Sequence, residues 1–224
     1  MRKSRKQQKN DRRRIVPITA KTPNQKEYIR DIVENDVIFC TGPSGSGKSY
    51  IAAGIAANHI YRDELEQIIV TRPLVCAGKD IGSLPGELDE KIKPYLLPME
   101  ENLKHFLGRD YYGKLFNDGR IRYEPLEVMR GATFHDAYMI LDEAQNCTLE
   151  QIKMFITRMG ENSKVLINGD IRQTDIRKFS GLLECIDRLD GIEGVGISRL
   201  YYEDIQRNGI IGRVLEALEE DYYD

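Results

Sequence analysis

Residues 37–49 read VIFCTGPSGSGKS, an apolar run followed by a glycine-rich turn. The turn, Gly42–Ser49, matches the pattern G-x-x-x-x-G-K-[ST] of a phosphate-binding loop. Behind it, Ile51, Ile55 and Ile60 recur at helical spacing, so the segment is predicted to form a strand, a loop and a helix. That succession is the structural context that the motif requires, and we therefore predict a site for a nucleoside triphosphate.

The residue types of this loop assign a chemical role to its members. Glycines allow the backbone to bend so that several N–H groups point at phosphate oxygens, and the positive end of the following helix adds to the attraction. We expect Lys48 to act as a catalytic residue on the β- and γ-phosphates, and Ser49 to offer its hydroxyl to Mg²⁺. The predicted nucleotide contacts in this segment are Gly42, Pro43, Ser44, Gly45, Ser46, Gly47, Lys48, Ser49 and Tyr50.

A second apolar run, Met139–Leu141, ends in two acids. We expect Asp142 to hold Mg²⁺, directly or through water, and Glu143 to polarise the attacking water as a catalytic residue. Two acids that merely cap the next helix are a poorer explanation for a pair at the end of a buried strand. Adjacent Asp and Glu also favour hydrolysis over transfer of the phosphoryl group to a second substrate.

The segment Gly169–Gln173 follows another predicted strand, Lys164–Gly169. Ligands bind at the carboxyl ends of the strands in open α/β sheets. We predict that Gln173 is a catalytic residue that hydrogen-bonds the γ-phosphate or the attacking water and so reports whether the triphosphate is intact. The alternative is an ordinary polar loop.

Apolar strands alternate with amphipathic helices along the chain, a pattern that predicts an α/β fold with a mostly parallel sheet and helices on both faces. Further strands are predicted at Gln67–Thr71, Ile121–Glu124, Ala137–Asp142 and Val195–Leu200. Helices are predicted at Pro23–Glu34, Lys48–Arg62, Leu149–Met159, Gly181–Leu189 and near Ile210–Glu219. An irregular excursion of short helices and loops is expected at residues 73–119, broken by Pro85, Pro94 and Pro98.

Charge divides the 224 residues into two unequal parts. Residues 1–14 hold eight Lys and Arg and one Asp, a formal +7, whereas the remaining 25 basic and 35 acidic side chains give −10. We predict a basic, flexible N-terminal arm at residues 1–14 and a single domain at residues 15–224. A basic arm on an acidic body suggests an anionic partner such as nucleic acid, but a solvated terminus explains the charge equally well.

The composition also argues against several classes of protein. The longest run without a strongly polar side chain is Ile51–Ala57, far shorter than the roughly 18 apolar residues that cross a membrane. The N-terminus carries charge with no apolar stretch behind it, unlike a secretory signal. Four scattered cysteines lack the C-x-x-C spacing of a zinc site and fit reduced thiols. We predict a soluble cytoplasmic protein with no membrane partner.

The phosphate-binding loop and the two later segments, in this order, resemble the core motifs of superfamily 1 helicases. Asp142–Gln145 resembles their motif II, and Gly169–Gln173 resembles their motif III. Thr22–Gln25 is similar to the segment whose glutamine reads the adenine edge, a role that suits Gln25 because an amide donates and accepts hydrogen bonds together.

Additional segments narrow the resemblance to the PhoH-like ATPase family. They are Arg72–Pro73, Gly82–Gly86, Lys93–Leu96, Met129–Gly131, Ile140–Asn146, Lys164–Gln173 and Asp204–Arg207. The resemblance runs from about Thr22 to Glu219 and implies a single RecA-like P-loop domain that uses ATP, and ring-shaped homo-oligomers, often hexamers. It also implies an RNA-related role, since members of the family are proposed to be RNA helicases or regulators coupled to RNA breakdown.

The resemblance raises the question of which arginine completes the site. A helicase motor binds ATP between two RecA-like domains, the second of which supplies arginines to the γ-phosphate, and this chain has room for one such domain. Either hydrolysis is slow, or a neighbouring copy supplies the arginine. We predict a ring in which Arg207 acts in trans as a catalytic residue, with Arg172 and Arg130 as further candidates. A structural ion pair is the alternative for each of them.

Candidate nucleic-acid contacts follow from the positions of basic residues. Arg72 and Lys79 come after a predicted strand, where helicase motors carry strand-contacting loops, and Arg130 is a third candidate. Residues 109–123 interleave basic and aromatic side chains, as a stacking and phosphate-binding surface would. The same aromatics fit the buried side of a helix and a short strand better.

Two other functional classes stay open. A small P-loop kinase would consume ATP only with an acceptor and would carry an arginine-rich lid, which is not found in this sequence. A non-catalytic, ATP-switched binding protein would respond to ATP without turnover. The leading prediction is an RNA-directed ATPase, with helicase activity as an extension of it.

Overall fold

One parallel β-sheet forms the centre of the structure. The computed structural model describes residues 15–73, 88–173, 180–206, 210–211 and 213–214, with the backbone alone at residues 88–95. These residues contribute six strands: β1 Val37–Thr41, β2 Gln67–Thr71, β3 Ile121–Tyr123, β4 Ala137–Leu141, β5 Lys164–Gly169 and β6 Val195–Arg199. The strands pair in parallel in the order β3-β2-β4-β5-β1-β6, which confirms the predicted α/β fold.

Six α-helices cover the sheet in the described part of the chain. They are α1 Pro23–Glu34, α2 Lys48–Tyr61, α3 Leu88–Leu107, α4 Arg109–Asn117, α5 Leu149–Ile156 and α6 Gly181–Leu189. Buried side chains of α1 to α4 form an apolar core with one face of the sheet, and those of α5 and α6 form a second core with the other face. The prediction of helices on both faces is therefore confirmed.

Alternation of side chains along the strands explains the two cores. In β1, Ile38 and Cys40 belong to the core on the α2 side, whereas Val37 and Phe39 belong to the core on the α5 side. Every residue of β1 is buried, and so the strand is a continuous apolar run, as strands covered on both faces are.

The order of the strands brings three loops together at one edge of the sheet. β5 lies between β1 and β4, with Thr41 opposite Gly169 and Leu141 opposite Ile167. Because all the strands are parallel, the loops that follow β1, β4 and β5 leave from the same edge. This edge therefore carries the phosphate-binding loop, the acidic pair and the segment after β5.

Several elements end earlier than the sequence predicts. α2 ends at Tyr61, β3 at Tyr123, β4 at Leu141, α5 at Ile156 and β6 at Arg199. Hydrogen bonds explain one such end, because Thr157 N–H and Arg158 N–H bond to carbonyls of the last turn of α5 and close it. Most of the predicted final helix near Ile210–Glu219 lies outside the described residues.

Helix α3 differs from the expectation for the stretch that contains it. The sequence predicts breaks at Pro94 and Pro98, yet α3 runs through both as one helix of 20 residues. An interior proline costs roughly 3 kcal/mol, whereas burial of a large apolar side chain contributes roughly 1.5–3 kcal/mol. Four side chains of α3 are buried in the core shared with α2, and their burial offsets this cost. They are Met99, Leu103, Phe106 and Leu107. Pro85 lies outside the described residues.

The cysteines of the described residues are packing residues. Cys40, Cys147 and Cys185 are free and buried. Burial raises the pKa of the Cys147 thiol to about 12 and that of Cys185 to about 11, so both stay protonated at neutral pH. Among the residues that the structure describes, no group of three or more His, Cys, Asp and Glu is placed to hold a metal ion. The helices of these same residues include none that is long and apolar enough to cross a membrane.

The contact between α5 and α6 requires glycine at position 181. A Cβ on Gly181 would lie 2.0 Å from Leu149 N and 2.4 Å from the carbonyl carbon of Thr148. We expect Gly181→Ala to lower the free energy of unfolding by about 1–3 kcal/mol, because backbone atoms must move apart. Gly113→Ala is the control: nothing lies within 4 Å of its Cβ, and alanine inside α4 should stabilise by roughly 0.5–1 kcal/mol. Equilibrium unfolding in urea measures both, and equal stability of the two variants would contradict the prediction.

Candidate nucleotide-binding site

A cleft of about 610 Å³ opens where β1, β4 and β5 end. This volume falls within the roughly 300–1,000 Å³ that is usual for small-molecule sites. The predicted site residues on its wall are Gln25, Ser44, Gly45, Gly47, Lys48, Ser49, Tyr50, Arg72, Asp142, Glu143 and Gln173. Segments that are distant in sequence therefore meet around one cavity.

Close approaches explain why the loop has glycine at two of its positions. A Cβ on Gly42 would stand 2.5 Å from the carbonyl oxygen of Leu200, and one on Gly47 would stand 3.0 Å from Gln25 Nε2. The φ angles of these glycines are also positive, 155° and 102°. The N–H of Gly42 donates to the carbonyl of Gly169 at 3.2 Å, which anchors the loop to β5. The protein's own contacts thus fix the shape of the loop.

Lys48 is bonded to the carbonyl groups at the start of the loop. Its Nζ donates to the carbonyl oxygen of Gly42 and, at 3.0 Å, to that of Pro43. Buried Ser46 also donates to Pro43 O through Oγ, at 2.8 Å. Phosphate oxygens bind an ammonium group more strongly than neutral carbonyl oxygens do, so the same amine is suited to exchange these contacts for a triphosphate.

Ser49 and Asp142 are the side chains that fit a magnesium ion. Ser49 Oγ donates a hydrogen bond to Asp142 Oδ1 at 2.9 Å, which brings together a hydroxyl and a carboxylate oxygen, the ligand types that Mg²⁺ prefers. Burial raises the pKa of Asp142 and nearby Glu143 raises it further, while the Ser49 hydrogen bond, Arg72 and Lys48 lower it. A divalent cation here would stabilise the ionised carboxylate that burial disfavours.

Two neighbours orient the carboxylate of Glu143 at the end of β4. Gln145 Nε2 donates to its Oε2 at 2.6 Å, and Arg72 Nη2 lies 3.6 Å from its Oε1. The φ angle of Glu143 is 57°, in the left-handed region that side chains other than glycine rarely adopt. Backbone strain of this kind is concentrated at functional sites, where the surrounding structure maintains it. The position of Glu143 is therefore consistent with its predicted role.

Gln145 has a contribution that the sequence prediction missed. It is 3% exposed, and its Oε1 accepts a hydrogen bond from the backbone N–H of Asp170 at 3.0 Å. With Nε2 bonded to Glu143, its amide ties the acidic pair after β4 to the segment after β5. The motif Asp142–Gln145 drew attention to this residue, but spacing along the chain does not reveal a partner 25 residues away.

In the segment after β5, Gln173 lines the cleft, whereas the Arg172 side chain contacts another segment of the same chain. Buried Asp170 holds this segment through two hydrogen bonds of 3.1 Å. The N–H of Gln173 donates to its carbonyl oxygen, and the N–H of Arg172 donates to its Oδ1. Arg172 Nη1 donates to the Tyr202 hydroxyl at 2.9 Å, and its guanidinium carbon lies 5.1 Å from the centre of that ring. Arg172 thus contacts the segment that follows β6 in the same chain.

Gln25 connects the start of α1 to the phosphate-binding loop. Its Nε2 donates to the carbonyl of Ser46 at 2.9 Å, and its Oε1 accepts from the N–H of Lys21 at 2.9 Å. The residue is 3% exposed and lines the cleft. Its amide therefore supports the loop, and reading of an adenine edge by Gln25 stays a prediction.

Asp204 was not predicted as part of the site, yet it joins α1 to the segment after β6. Its fully buried carboxylate accepts hydrogen bonds from Thr22 Oγ1, from Asn24 Nδ2 at 3.0 Å and from the N–H of Tyr201 at 2.7 Å. The N–H of Gln206 then donates to Gly45 O of the phosphate-binding loop at 3.2 Å. The motif Asp204–Arg207 was the sequence signal for this element.

We expect Asp204→Asn to destabilise the protein and to weaken ATP binding. An amide nitrogen would replace one acceptor oxygen in front of donors, which costs about 1–3 kcal/mol of the free energy of unfolding. ATP binding should weaken because the segment that contacts Gly45 would lose its anchor. Chemical denaturation and titration with a fluorescent ATP analogue measure the two effects. Glu203→Gln is the control, since Glu203 accepts only an exposed hydrogen bond from Asn24 at 3.1 Å; equal behaviour of the two variants would refute the expectation.

The remaining predicted residues do not line the cleft or lie outside the described residues. Gly42, Pro43 and Ser46 belong to the phosphate-binding loop, but they are not on the cleft wall. Arg130 is exposed and does not line the cleft, while Lys79, Arg207 and the arm at residues 1–14 are outside the described part. Tyr50 is on the cleft wall, with its ring centre 4.7 Å from that of Phe106 on α3.

The basic and aromatic stretch at residues 109–123 packs against itself. Tyr112 is buried, its hydroxyl lies 3.1 Å from that of Tyr123, and its ring stacks on Phe116 with centres 6.0 Å apart. These contacts belong to the packing of α4 against β3. For Tyr112 and Tyr123 they agree with the structural alternative.

Comparison with known sequences identifies relatives over nearly the whole chain. The model of the family described as "PhoH-like protein" matches residues 17–219. The "PhoH-like protein" of Bacillus subtilis (strain 168) is 42% identical over 205 residues, which cover 91% of this chain and 64% of the relative. "Protein PhoH" of Escherichia coli (strain K12) is 41% identical over 211 residues, covering 92% and 60%. The chain thus spans less than two thirds of the length of these relatives.

Comparison with solved structures supports the fold. The large terminase of a thermophilic bacteriophage matches with a TM-score of 0.53 and 14% identity, covering 91% of this chain and 50% of the terminase. A second structure of that protein, in complex with ADP, matches equally well. The HK97 bacteriophage large terminase matches with a TM-score of 0.51 and 18% identity, covering 83% and 41%. At such identities the likeness concerns the fold alone.

Proposed function

Since the chain belongs to the PhoH-like family, we propose that it binds ATP with Mg²⁺, hydrolyses the ATP, and couples this reaction to RNA or single-stranded nucleic acid. The observation that carries the proposal is the meeting of Lys48, the Ser49–Asp142 pair and Glu143 on the wall of one cleft. A phosphate-binding lysine, a magnesium-binding pair and a residue that activates water are the parts that hydrolysis of a triphosphate needs.

In the proposed reaction, the loop binds the triphosphate and Glu143 activates water. Lys48 exchanges its carbonyl contacts for β- and γ-phosphate oxygens, while backbone N–H groups of the loop hold the others. Ser49 and Asp142 would hold Mg²⁺, and the bound ion would supply positive charge against the phosphates. Glu143 takes a proton from water as the water oxygen bonds to the γ-phosphorus and the bond to the β–γ bridging oxygen breaks. Gln173 hydrogen-bonds the γ-phosphate, and the products are ADP and phosphate.

Charge and family resemblance support the nucleic-acid part of the proposal. Residues 1–14 carry a formal +7, which attracts a phosphate backbone in a salt-dependent manner. The resemblance to the PhoH-like family favours RNA over DNA. Arg130, which is exposed, and Lys79 are proposed to contact the nucleic acid, and strand separation would be an extension of this coupling.

A homo-oligomeric ring is also part of the proposal, with a hexamer as its expected form. In such a ring, Arg207 of a neighbouring copy would reach the γ-phosphate. Light scattering in the presence of ATP and Mg²⁺ tests the ring. A mass well above the 25.8 kDa of one chain supports it, and the mass of a single chain contradicts it.

ATP turnover is the experiment that tests the proposed activity. Phosphate release is measured with Mg²⁺ alone, with single-stranded RNA and with single-stranded DNA of the same sequence. We expect turnover that RNA stimulates more than DNA does. Tight ATP binding without turnover under all three conditions would instead favour the ATP-switched binding protein, and turnover that needs a small-molecule acceptor would favour the kinase.

A further inference from the structure

We propose that Arg72 is a catalytic residue of this site, which contacts the γ-phosphate from within the same subunit. The inference rests on the proposed ATP hydrolysis and adds a residue to it. The sequence suggests a different role, a nucleic-acid contact, because Arg72 follows β2. The structure places the residue on the wall of the nucleotide cleft, together with Lys48, Glu143 and Gln173.

The sheet itself determines where Arg72 lies. β2 pairs with β4 so that Thr71 is opposite Leu141, and the N–H of Asp142 donates to the carbonyl of Thr71 at 3.0 Å. The residues that follow these two strands, Arg72 and Asp142, are therefore neighbours across the edge of the sheet. The backbone immediately before Arg72 is therefore held by the pairing of β2 with β4 and by the hydrogen bond between Asp142 and Thr71.

The Arg72 side chain lies beside Glu143 and is largely shielded from solvent. Arg72 Nη2 lies 3.6 Å from Glu143 Oε1, and the Arg72 side chain is 24% exposed, compared with 38% for that of Glu143. At 3.6 Å the contact is an ion pair longer than a usual hydrogen bond. The guanidinium charge thus lies beside Glu143, the residue that is proposed to activate water.

The charges around the cleft indicate what Arg72 does in the reaction. Lys48 and Arg72 are two cationic side chains on the wall of the cleft that Asp142 and Glu143 also line. Binding of a triphosphate brings further negative charge between these groups, and hydrolysis shifts charge toward the oxygens of the transferred phosphoryl group. A guanidinium offers several N–H donors in one plane, which suits two phosphate oxygens at once, whereas lysine acts as a single point of charge. Arg72 can therefore stabilise the transition state from within the subunit, alongside the arginine that a neighbouring copy is proposed to supply.

Two variants and a distant control test the inference. We expect Arg72→Ala to lower kcat for ATP by roughly 100-fold or more, with KM changed by a few-fold, because the interaction strengthens in the transition state. Arg72→Lys should restore part of kcat, since it keeps the charge but not the planar donors. Arg62→Ala is the control: Arg62 follows the last residue of α2, its side chain is 61% exposed, and it pairs with Glu64 at 3.7 Å, away from the cleft. This variant should hydrolyse ATP as the wild type does.

A binding measurement separates Arg72 from the proposed hydrolysis and from a nucleic-acid role. ADP with aluminium fluoride mimics the γ-phosphoryl group during transfer, so aluminium fluoride should tighten ADP binding in the wild type and much less in Arg72→Ala. Affinity for ADP alone and for a labelled single-stranded RNA should be the same in both proteins. An equal gain from aluminium fluoride, or unchanged kcat with weaker RNA binding, would overturn the inference. Absence of turnover in the wild type would contradict the proposed hydrolysis, and the aluminium fluoride comparison would still decide the role of Arg72.

Discussion

Glu143→Gln is expected to lower ATP turnover by at least about 100-fold while ATP affinity stays within a few-fold of that of the wild type. Glutamine has nearly the shape of glutamate, and its side-chain oxygen can still accept the hydrogen bond that Gln145 Nε2 donates at 2.6 Å. The amide cannot take a proton from water, so the chemical step is lost and the binding site is kept. Phosphate release and titration with a fluorescent ATP analogue measure the two quantities.

Glu150→Gln provides the matched control for this variant. Glu150 is exposed in the first turn of α5, so the same change of charge should leave turnover intact. Wild-type turnover in Glu143→Gln would show that another group activates the water. Loss of ATP binding together with turnover would show that the charge of Glu143 is needed to assemble the cleft.

The strands of this fold are predictable because each one has a local signature. Every residue of β1 and of β4 is buried, and burial on both faces produces uninterrupted apolar runs that stand out in the sequence. The capping box of α5, in which Thr148 and Gln151 exchange hydrogen bonds, likewise depends on two residues that are only three positions apart in the sequence. Local patterns of this kind do not depend on which strands become neighbours.

The phosphate-binding loop was predictable for the same reason, since its motif spans eight consecutive residues and the bonds of its lysine stay within it. Lys48 bonds to Gly42 and Pro43, six and five residues before it. The pairing of Ser49 with Asp142 spans 93 residues, but each half carries a recognisable motif of its own. The order of the strands then brings the halves together, because parallel strands end at one edge.

Contacts between particular residues that are distant in sequence were not predictable, even where both lie in recognisable segments. Thr22 and Asp204 are 182 residues apart, and nothing in either local sequence indicates that they hydrogen-bond. The position of Arg72 depends on β2 lying next to β4, an arrangement that the alternation of strands and helices does not specify. The continuity of α3 through Pro94 and Pro98 accompanies burial of the half of the helix after Pro98 against α2, and the local sequence does not specify that neighbour. In each case the contact depends on which elements pack together in the fold, and the local sequence does not specify this.

Lys48→Ala is expected to weaken ATP binding by roughly 100-fold, because charge-assisted hydrogen bonds to the β- and γ-phosphates are lost. The same variant should bind AMP nearly as well as the wild type, since AMP lacks both of those phosphates. The fold should persist, because the contacts that Lys48 gives up are to carbonyl oxygens of Gly42 and Pro43 at the edge of the cleft, and Ser46 Oγ still donates to Pro43 O. Calorimetric titration with ATP, ADP and AMP measures the dependence on phosphate number.

The series of nucleotides is what distinguishes a phosphate contact from general damage to the loop. A lysine that holds the β- and γ-phosphates produces a loss that grows from AMP to ATP, whereas a collapsed loop weakens all three nucleotides alike. Lys153→Ala, which removes an exposed lysine of α5, should leave the whole series unchanged. An equal loss for AMP and ATP in Lys48→Ala, with the melting temperature unchanged, would mean that this lysine shapes the loop and does not contact the terminal phosphates. That result would remove the strongest electrostatic support for a triphosphate in the cleft.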